Sequence, residues 1–196
     1  YLAGQAGAGA LLDVLTGVVD PSGRLAETVP LSLADTPTAL TFPGTERTAE
    51  YREGLYVGYR YYTTADVPVA FPFGFGLSYT SFEHSDLVVS QDSAQVTVRN
   101  TGERDGADVV QVYVRRDSAG VHRPDRELKA FARVEVAAGE SVVVTIPLDA
   151  KAFRHYDVES GAWQVEQGEY TVLVGAHVDD LRLSASLTVR GTKPAG

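Results

Sequence analysis

Glu50, Arg52, Glu53, Arg60 and Asp66 stand in and beside a run, Tyr51 to Tyr79, that holds nine of the chain's eighteen aromatic residues. Rings next to carboxylates and arginines have the composition of a sugar subsite, because the C–H faces of a sugar stack on rings while its hydroxyls bond to charged groups. The same residue types make structural ion pairs, whose charge-assisted hydrogen bonds tie a loop to itself or to a neighbouring domain. Spacing alone does not separate the two, and structural pairs are the commoner, so the structural reading comes first. Glu53 and Arg60 are kept as substrate-binding candidates, acting at one remove from the substrate. No residue is nominated as catalytic.

Other chemistries find little footing. The histidines, His84, His122, His155 and His177, lack metal-ligand spacing, and Asp179-Asp180 supplies too few oxygens for calcium. Gly74 and Gly76 form no phosphate loop, because the lysine and the following hydroxyl residue are missing. Without cysteine there is neither a disulfide framework nor thiolate chemistry. A net charge of −9 argues against a nucleic-acid partner, and the basic pairs Arg115-Arg116 and Arg123…Arg126 read as a solvated strand end and loop. No apolar window is long enough to span a membrane. The composition suits a soluble protein, cytoplasmic or secreted alike, with no cofactor implied.

The elements that must position these residues come in two textures. From about residue 82 the apolar period is two: Val110, Val112 and Val114; Leu128, Ala130, Ala132, Val134 and Val136; Val142, Val144, Ile146 and Leu148; Tyr170, Val172 and Val174; Leu181 to Val189. That alternation marks half-buried strands. Turn residues separate them at Asn100-Thr-Gly102, Asp105-Gly106, Ala138-Gly139 and Gln167-Gly168. About seven short strands in about 110 residues predict an antiparallel β-sandwich. Tyr170 is placed to be a corner tyrosine whose hydroxyl bonds back to the main chain. Trp163, the only tryptophan, is read as a core or inter-sheet filler.

Residues 1–81 differ. Ala6–Thr16 predicts a helix with Ala10, Leu11, Val14 and Leu15 on one side, ended by Gly17, with Asp13 facing solvent. Asp20-Pro-Ser-Gly23 is a turn. No sustained period follows, only the aromatic run with Phe71-Pro-Phe-Gly-Phe-Gly-Leu-Ser-Tyr79 at its end. One helix and a long aromatic loop do not make a core, so this segment is expected to be part of a domain whose body lies elsewhere. The absence of methionine and the start at Tyr1 carry the same expectation of a piece of something longer.

Several blocks together resemble the C-terminal end of family 3 glycoside hydrolases, the β-glucosidase and β-xylosidase group. They are Gly4-Gln5 with the glycine-rich helix, Asp20-Pro-Ser-Gly-Arg-Leu25, Tyr51-Arg-Glu-Gly54, Val57-Gly-Tyr-Arg-Tyr-Tyr62 and Phe71-Pro-Phe-Gly74 with Gly76-Leu-Ser-Tyr-Thr80. Asp20 stands where the family has asparagine, and Ala26 where it has proline. Val109-Val-Gln-Val-Tyr-Val114, Glu127-Leu-Lys129 and Gly168-Glu-Tyr-Thr-Val-Leu-Val-Gly175 resemble its closing fibronectin type III-like domain.

The resemblance implies a mainly β chain: an immunoglobulin- or fibronectin type III-like β-sandwich preceded by the terminal portion of an α/β sandwich domain. Residues 1–81 would be that portion with an aromatic linker, 82–190 the fibronectin-like sandwich and 191–196 a tail. It further implies a retaining β-glycosidase acting on terminal non-reducing β-D-glucosyl or related residues. Its nucleophilic aspartate lies on an N-terminal barrel, and its acid/base glutamate lies upstream of this segment. Such chemistry needs two carboxyl groups roughly 5–5.5 Å apart, and nothing here nominates that pair. The expected partners are the barrel and the remainder of the α/β domain, with carbohydrate met only through the complete enzyme. A carbohydrate-binding or adhesion β-sandwich without catalysis is the alternative, and a purely structural subunit a third reading. Tyr113, Phe131, Phe153, Tyr156, Trp163 and Tyr170 are mostly expected as core or corner, which counts against the alternative.

Overall fold

In the computed structural model, which describes residues 3–44, 47–117, 120–149 and 151–192, helix α1 spans Gly7–Leu15. Gly17 takes φ +74° after it, and its amide bonds to the Val14 carbonyl at 3.0 Å, which stops the helix where the glycine was expected to. Asp13 is exposed, as expected. Strand β1 (Val29–Pro30) pairs with β2 (Val69–Phe71), and a short 3₁₀ turn at Leu33–Asp35 is closed by a capping box from Ser32. Helix α2, Tyr59–Ala65, lies in the stretch where no period was legible. Its tyrosines and threonines are indifferent helix formers, so tertiary contacts must supply what propensity does not. Among the described residues no helix is long and apolar enough to cross a membrane.

Seven strands form the predicted sandwich. The three-stranded sheet orders β3 (Phe82–Val89), β4 (Ser93–Asn100) and β7 (Ser141–Pro147). The four-stranded sheet orders β11 (Asp180–Val189), β10 (Gly168–His177), β5 (Gly106–Arg116) and β6 (Glu127–Val136). Every pairing is antiparallel. Val96, Val98, Val110, Val112, Ile146, Phe153, Tyr170, Val172 and Val174 meet between the sheets and are almost fully buried. The Tyr170 hydroxyl donates to the Glu166 carbonyl, four residues upstream, at 3.1 Å, so the corner tyrosine is present.

A separate hairpin, β8 (Arg154–Asp157) with β9 (Ala162–Val165), stands outside both sheets and corrects one expectation. Trp163 is not a core filler: it is 57% exposed, edge-on to Tyr156 at 5.6 Å and under the Arg154 guanidinium at 4.4 Å. Two strands do not enclose a core, so their rings cover one another instead. Tyr156 and Phe131 are exposed too, whereas Tyr113, Phe153 and Tyr170 are buried as expected. Of the expected tail, Thr192 bonds to the Val165 carbonyl, and residues 193–196 lie outside the described residues.

Candidate functional site

β5 and β10 are buried on both faces. Val110, Val112 and Val114 face the sandwich core, while Gln111 and Tyr113 point the other way and are just as inaccessible. The aromatic run covers them. Phe73 stacks on Tyr59 at 4.6 Å, and Tyr59 meets Tyr113 edge-on at 6.2 Å, with Leu173 and Val178 completing the cluster. Offset and edge-to-face arrangements are the favourable ones for such rings.

The polar groups of Gln111, Tyr113 and Tyr59 in this layer each have a partner. The Tyr113 hydroxyl donates to Gln111 Oε1 at 2.7 Å, and Gln111 Nε2 donates to the carbonyls of Gly74 (3.0 Å) and Ala176 (2.5 Å). The Leu128 amide of β6 donates to the Tyr59 hydroxyl at 2.9 Å, and the Val178 amide donates to the Phe73 carbonyl at 3.2 Å. Burial raises the pKa of Tyr59 and, most strongly, of Tyr113, where Tyr59 and Asp179 add to it, so both phenols stay protonated. Gly74 sits at φ +83° with its α-carbon against the Gln111 amide, and a β-carbon there would collide with it.

The turn at residues 20–25 locks the layer from the other side. Asp20 accepts hydrogen bonds from the Ser78 hydroxyl and the Tyr79 amide, the latter at 2.6 Å. Leu25 and Phe75 exchange a backbone bond at 2.8 Å, and the Gly74 amide returns to the Leu25 carbonyl at 2.9 Å. Arg24 then reaches across to β5, where Nη2 donates to Asp108 Oδ1 at 3.0 Å. His84 of β3 donates from Nε2 to Asp108 Oδ2 at 2.6 Å, and because a carboxylate only accepts, the ring proton lies on that nitrogen. The Val109 amide adds a further bond at 2.8 Å.

Burial pushes the Asp108 carboxyl up, but the His84 hydrogen bond and charge, Arg24 and the Val109 amide together outweigh it and hold it below the ordinary aspartate value. Asp108 is the one buried carboxylate among the described residues, and both its oxygens are committed. It is a structural anchor, with three hydrogen bonds shared between its two oxygens.

The sequence-stated candidates part company. Arg60 lies over the Tyr59 ring with its guanidinium carbon 5.3 Å from the centroid, and its Nε is 3.6 Å from Glu127 Oε1 on β6. It ties the aromatic run to the sandwich rather than to its own loop. Glu53 is half-buried, its carbonyl accepts the Tyr56 amide at 2.9 Å, and its carboxylate makes no salt bridge among the described residues. Glu50 and Arg52 pair with each other at the surface, and Asp66 ends α2 at φ +53°. The structure does not bring Glu53 and Arg60 together. Missed altogether were His84, Asp108 and Gln111. The signal for the last two was a pair of polar residues within the otherwise apolar run Ala107–Val114.

Other apolar residues of residues 3–81 are exposed. Leu15 (67% exposed), Leu33 (81%), Leu40 (99%), Phe42 (76%) and Tyr51 (90%) have no cover. Leu33, Leu40 and Phe42 line one open groove, and exposed apolar surface of this kind marks a place where something else packs.

Comparison with known proteins finds two matching family models. The Glycosyl hydrolase family 3 C-terminal domain matches residues 1–79, and the Fibronectin type III-like domain matches 108–178. Thermostable beta-glucosidase B of Acetivibrio thermocellus is 46% identical over 200 residues, covering 98% of this chain and 26% of the relative. The exo-alpha-(1->6)-L-arabinopyranosidase of Bifidobacterium breve is 43% identical, covering 97% of this chain and 26% of the relative. Among solved structures, the GH3 beta-glucosidase of Bifidobacterium adolescentis superposes with a TM-score of 0.89 at 44% identity, covering 95% of this chain and 28% of that one. The chain spans about a quarter of the length of the relatives it matches.

Proposed function

The chain belongs to glycoside hydrolase family 3, in the family's C-terminal region, and from that premise we propose that it is the supporting part of a retaining β-glycosidase. The complete enzyme would hydrolyse terminal non-reducing β-D-glucosyl or related residues. This segment would contribute no reacting carboxylate; its barrel and the rest of its α/β domain would supply them. Residues 3–81 would finish the α/β domain and present their exposed apolar residues to it, while residues 82–190, beginning where β3 opens at Phe82, would form the buttress.

The observation that carries this reading is the contrast at Asp108. The one buried carboxylate among the described residues is spent on holding Arg24 and His84, so it serves the joint. A rigid joint matters to catalysis at a distance, since a displacement of about 1 Å costs about a hundredfold in rate. Relatives that share this region are named for different sugars, a β-glucosidase and an α-L-arabinopyranosidase, which supports placing sugar choice outside it.

The test is hydrolysis of an aryl β-glucoside by the purified 196-residue chain and by the complete protein. Turnover is expected from the complete protein alone. Turnover by the chain itself, abolished by changing one of its own carboxylates, would overturn the reading.

A further inference from the structure

The hairpin β8–β9 lies outside both sheets, and a row of charges fastens it to the rest of the chain. Arg123, in the loop between β5 and β6, donates from Nη2 to His155 Nδ1 on β8 and to Glu166 Oε2 just ahead of β10, both at 2.9 Å. Arg116, at the end of β5, has its Nε 3.3 Å from the same Glu166 oxygen and donates from Nη1 to the Tyr170 hydroxyl at 3.0 Å. Both arginine side chains are largely buried. The same loop reaches the aromatic run at its other end. There the Asp125 amide donates to Thr64 Oγ1 of α2 at 3.0 Å, and the His122 ring lies against Tyr56. The loop thus ties the outlying hairpin to the sandwich and to α2 together.

A guanidinium only donates, so His155 Nδ1 accepts and the ring carries its single proton on Nε2. Contact and protonation exclude each other here. A second ring proton would sit on Nδ1, aimed at Arg123, and would put two cations within 2.9 Å. Two carboxylates favour that proton. Glu166 faces the ring from the link between β9 and β10, and Asp157, held by Ser160 and Gln164, faces it from β8. Arg123 and Arg116 oppose it from the loop and β5, and Arg154 opposes it from β8, where it stacks on Trp163. We propose that His155 is an acid-sensitive latch, closed on Arg123 while its ring is neutral and released when the ring takes up a proton. Its contribution is full above the range in which imidazoles titrate, about pH 6.5, and is lost as pH falls through that range. Release frees the hairpin from the loop that also holds α2. The latch uses side chains of this chain alone and does not depend on the activity of the complete enzyme.

NMR of the 196-residue chain between pH 7.5 and 5.5 tests this. At pH 7.5 the His155 ring should carry its proton on Nε2. Arg123 Nε is buried, so its N–H should exchange with solvent slowly compared with that of the exposed Arg99. Losing a hydrogen bond to a charged group should raise that exchange, relative to Arg99, about tenfold by pH 5.5, in step with protonation of His155. His155→Gln keeps an acceptor oxygen at every pH and should show no such rise. Three results would overturn the proposal: a ring proton on Nδ1 at pH 7.5, no rise in the parent chain, or an equal rise in His155→Gln. The first two are read on the parent chain and decide the matter even where the variant does not fold.

Discussion

Two sets of apolar residues within residues 3–81 are of the same kinds and have opposite fates. On the sandwich side Tyr59, Phe73 and Gly74 are seated, hydrogen-bonded and backed by Gln111 and Tyr113. Leu33, Leu40, Phe42 and Tyr51, by contrast, stand in the open. Composition does not distinguish them; the presence of polar partners at fixed positions does. An apolar face becomes a joint when the groups around it can be satisfied, and stays a docking surface when they await another chain segment.

Breaking the seated face should show the difference most strongly at Asp108. Asp108→Ala leaves Arg24 buried without its counter-charge and His84 without its acceptor, and loss of one partner of a buried pair costs about 3–5 kcal/mol. Urea denaturation should show an unfolding free energy lowered by that amount. Phe73→Ala, which empties the ring stack against Tyr59, should cost about 3–4 kcal/mol in the same measurement.

Acid sharpens the comparison further. The Asp108 carboxyl has a folded-state pKa below its unfolded value, so its contribution is full above about pH 4, the unfolded value, and is lost as pH falls through the folded value. Stability of the parent chain should fall more steeply below pH 4 than that of Asp108→Asn, read from thermal midpoints at pH 2.5 to 6. Smallest of all should be Leu40→Ser among the exposed residues. Its side chain is 99% exposed, so the thermal midpoint should stay put while self-association, followed by light scattering, declines.

Much of the sandwich was legible because period-two alternation and turn residues are local signals: Leu181–Val189 reads as β11 without reference to anything else. The corner tyrosine was legible for the same reason, through its place just after Gly168. Helix α2 was not, since Tyr59–Ala65 folds on contacts with Leu128 and Glu127 that are distant in sequence. Trp163 misled because its size argues for burial, whereas its hairpin lies outside both sheets. The joint was half visible. Arg24 sat in a recognisable turn, but nothing local says that its guanidinium spans to Asp108, 84 residues away.

The central claim is that the aromatic layer and the sandwich open as one unit, and native-state hydrogen exchange addresses it directly. The amides of Leu25, Gly74, Leu128 and Val178 all donate to bonds that hold the layer together or fasten it to the sandwich. They should exchange with the same opening free energy as core amides of β5 and β10, and lose that protection together in Asp108→Ala. Fast exchange of those four in the parent chain, beside a fully protected sandwich, would contradict the account.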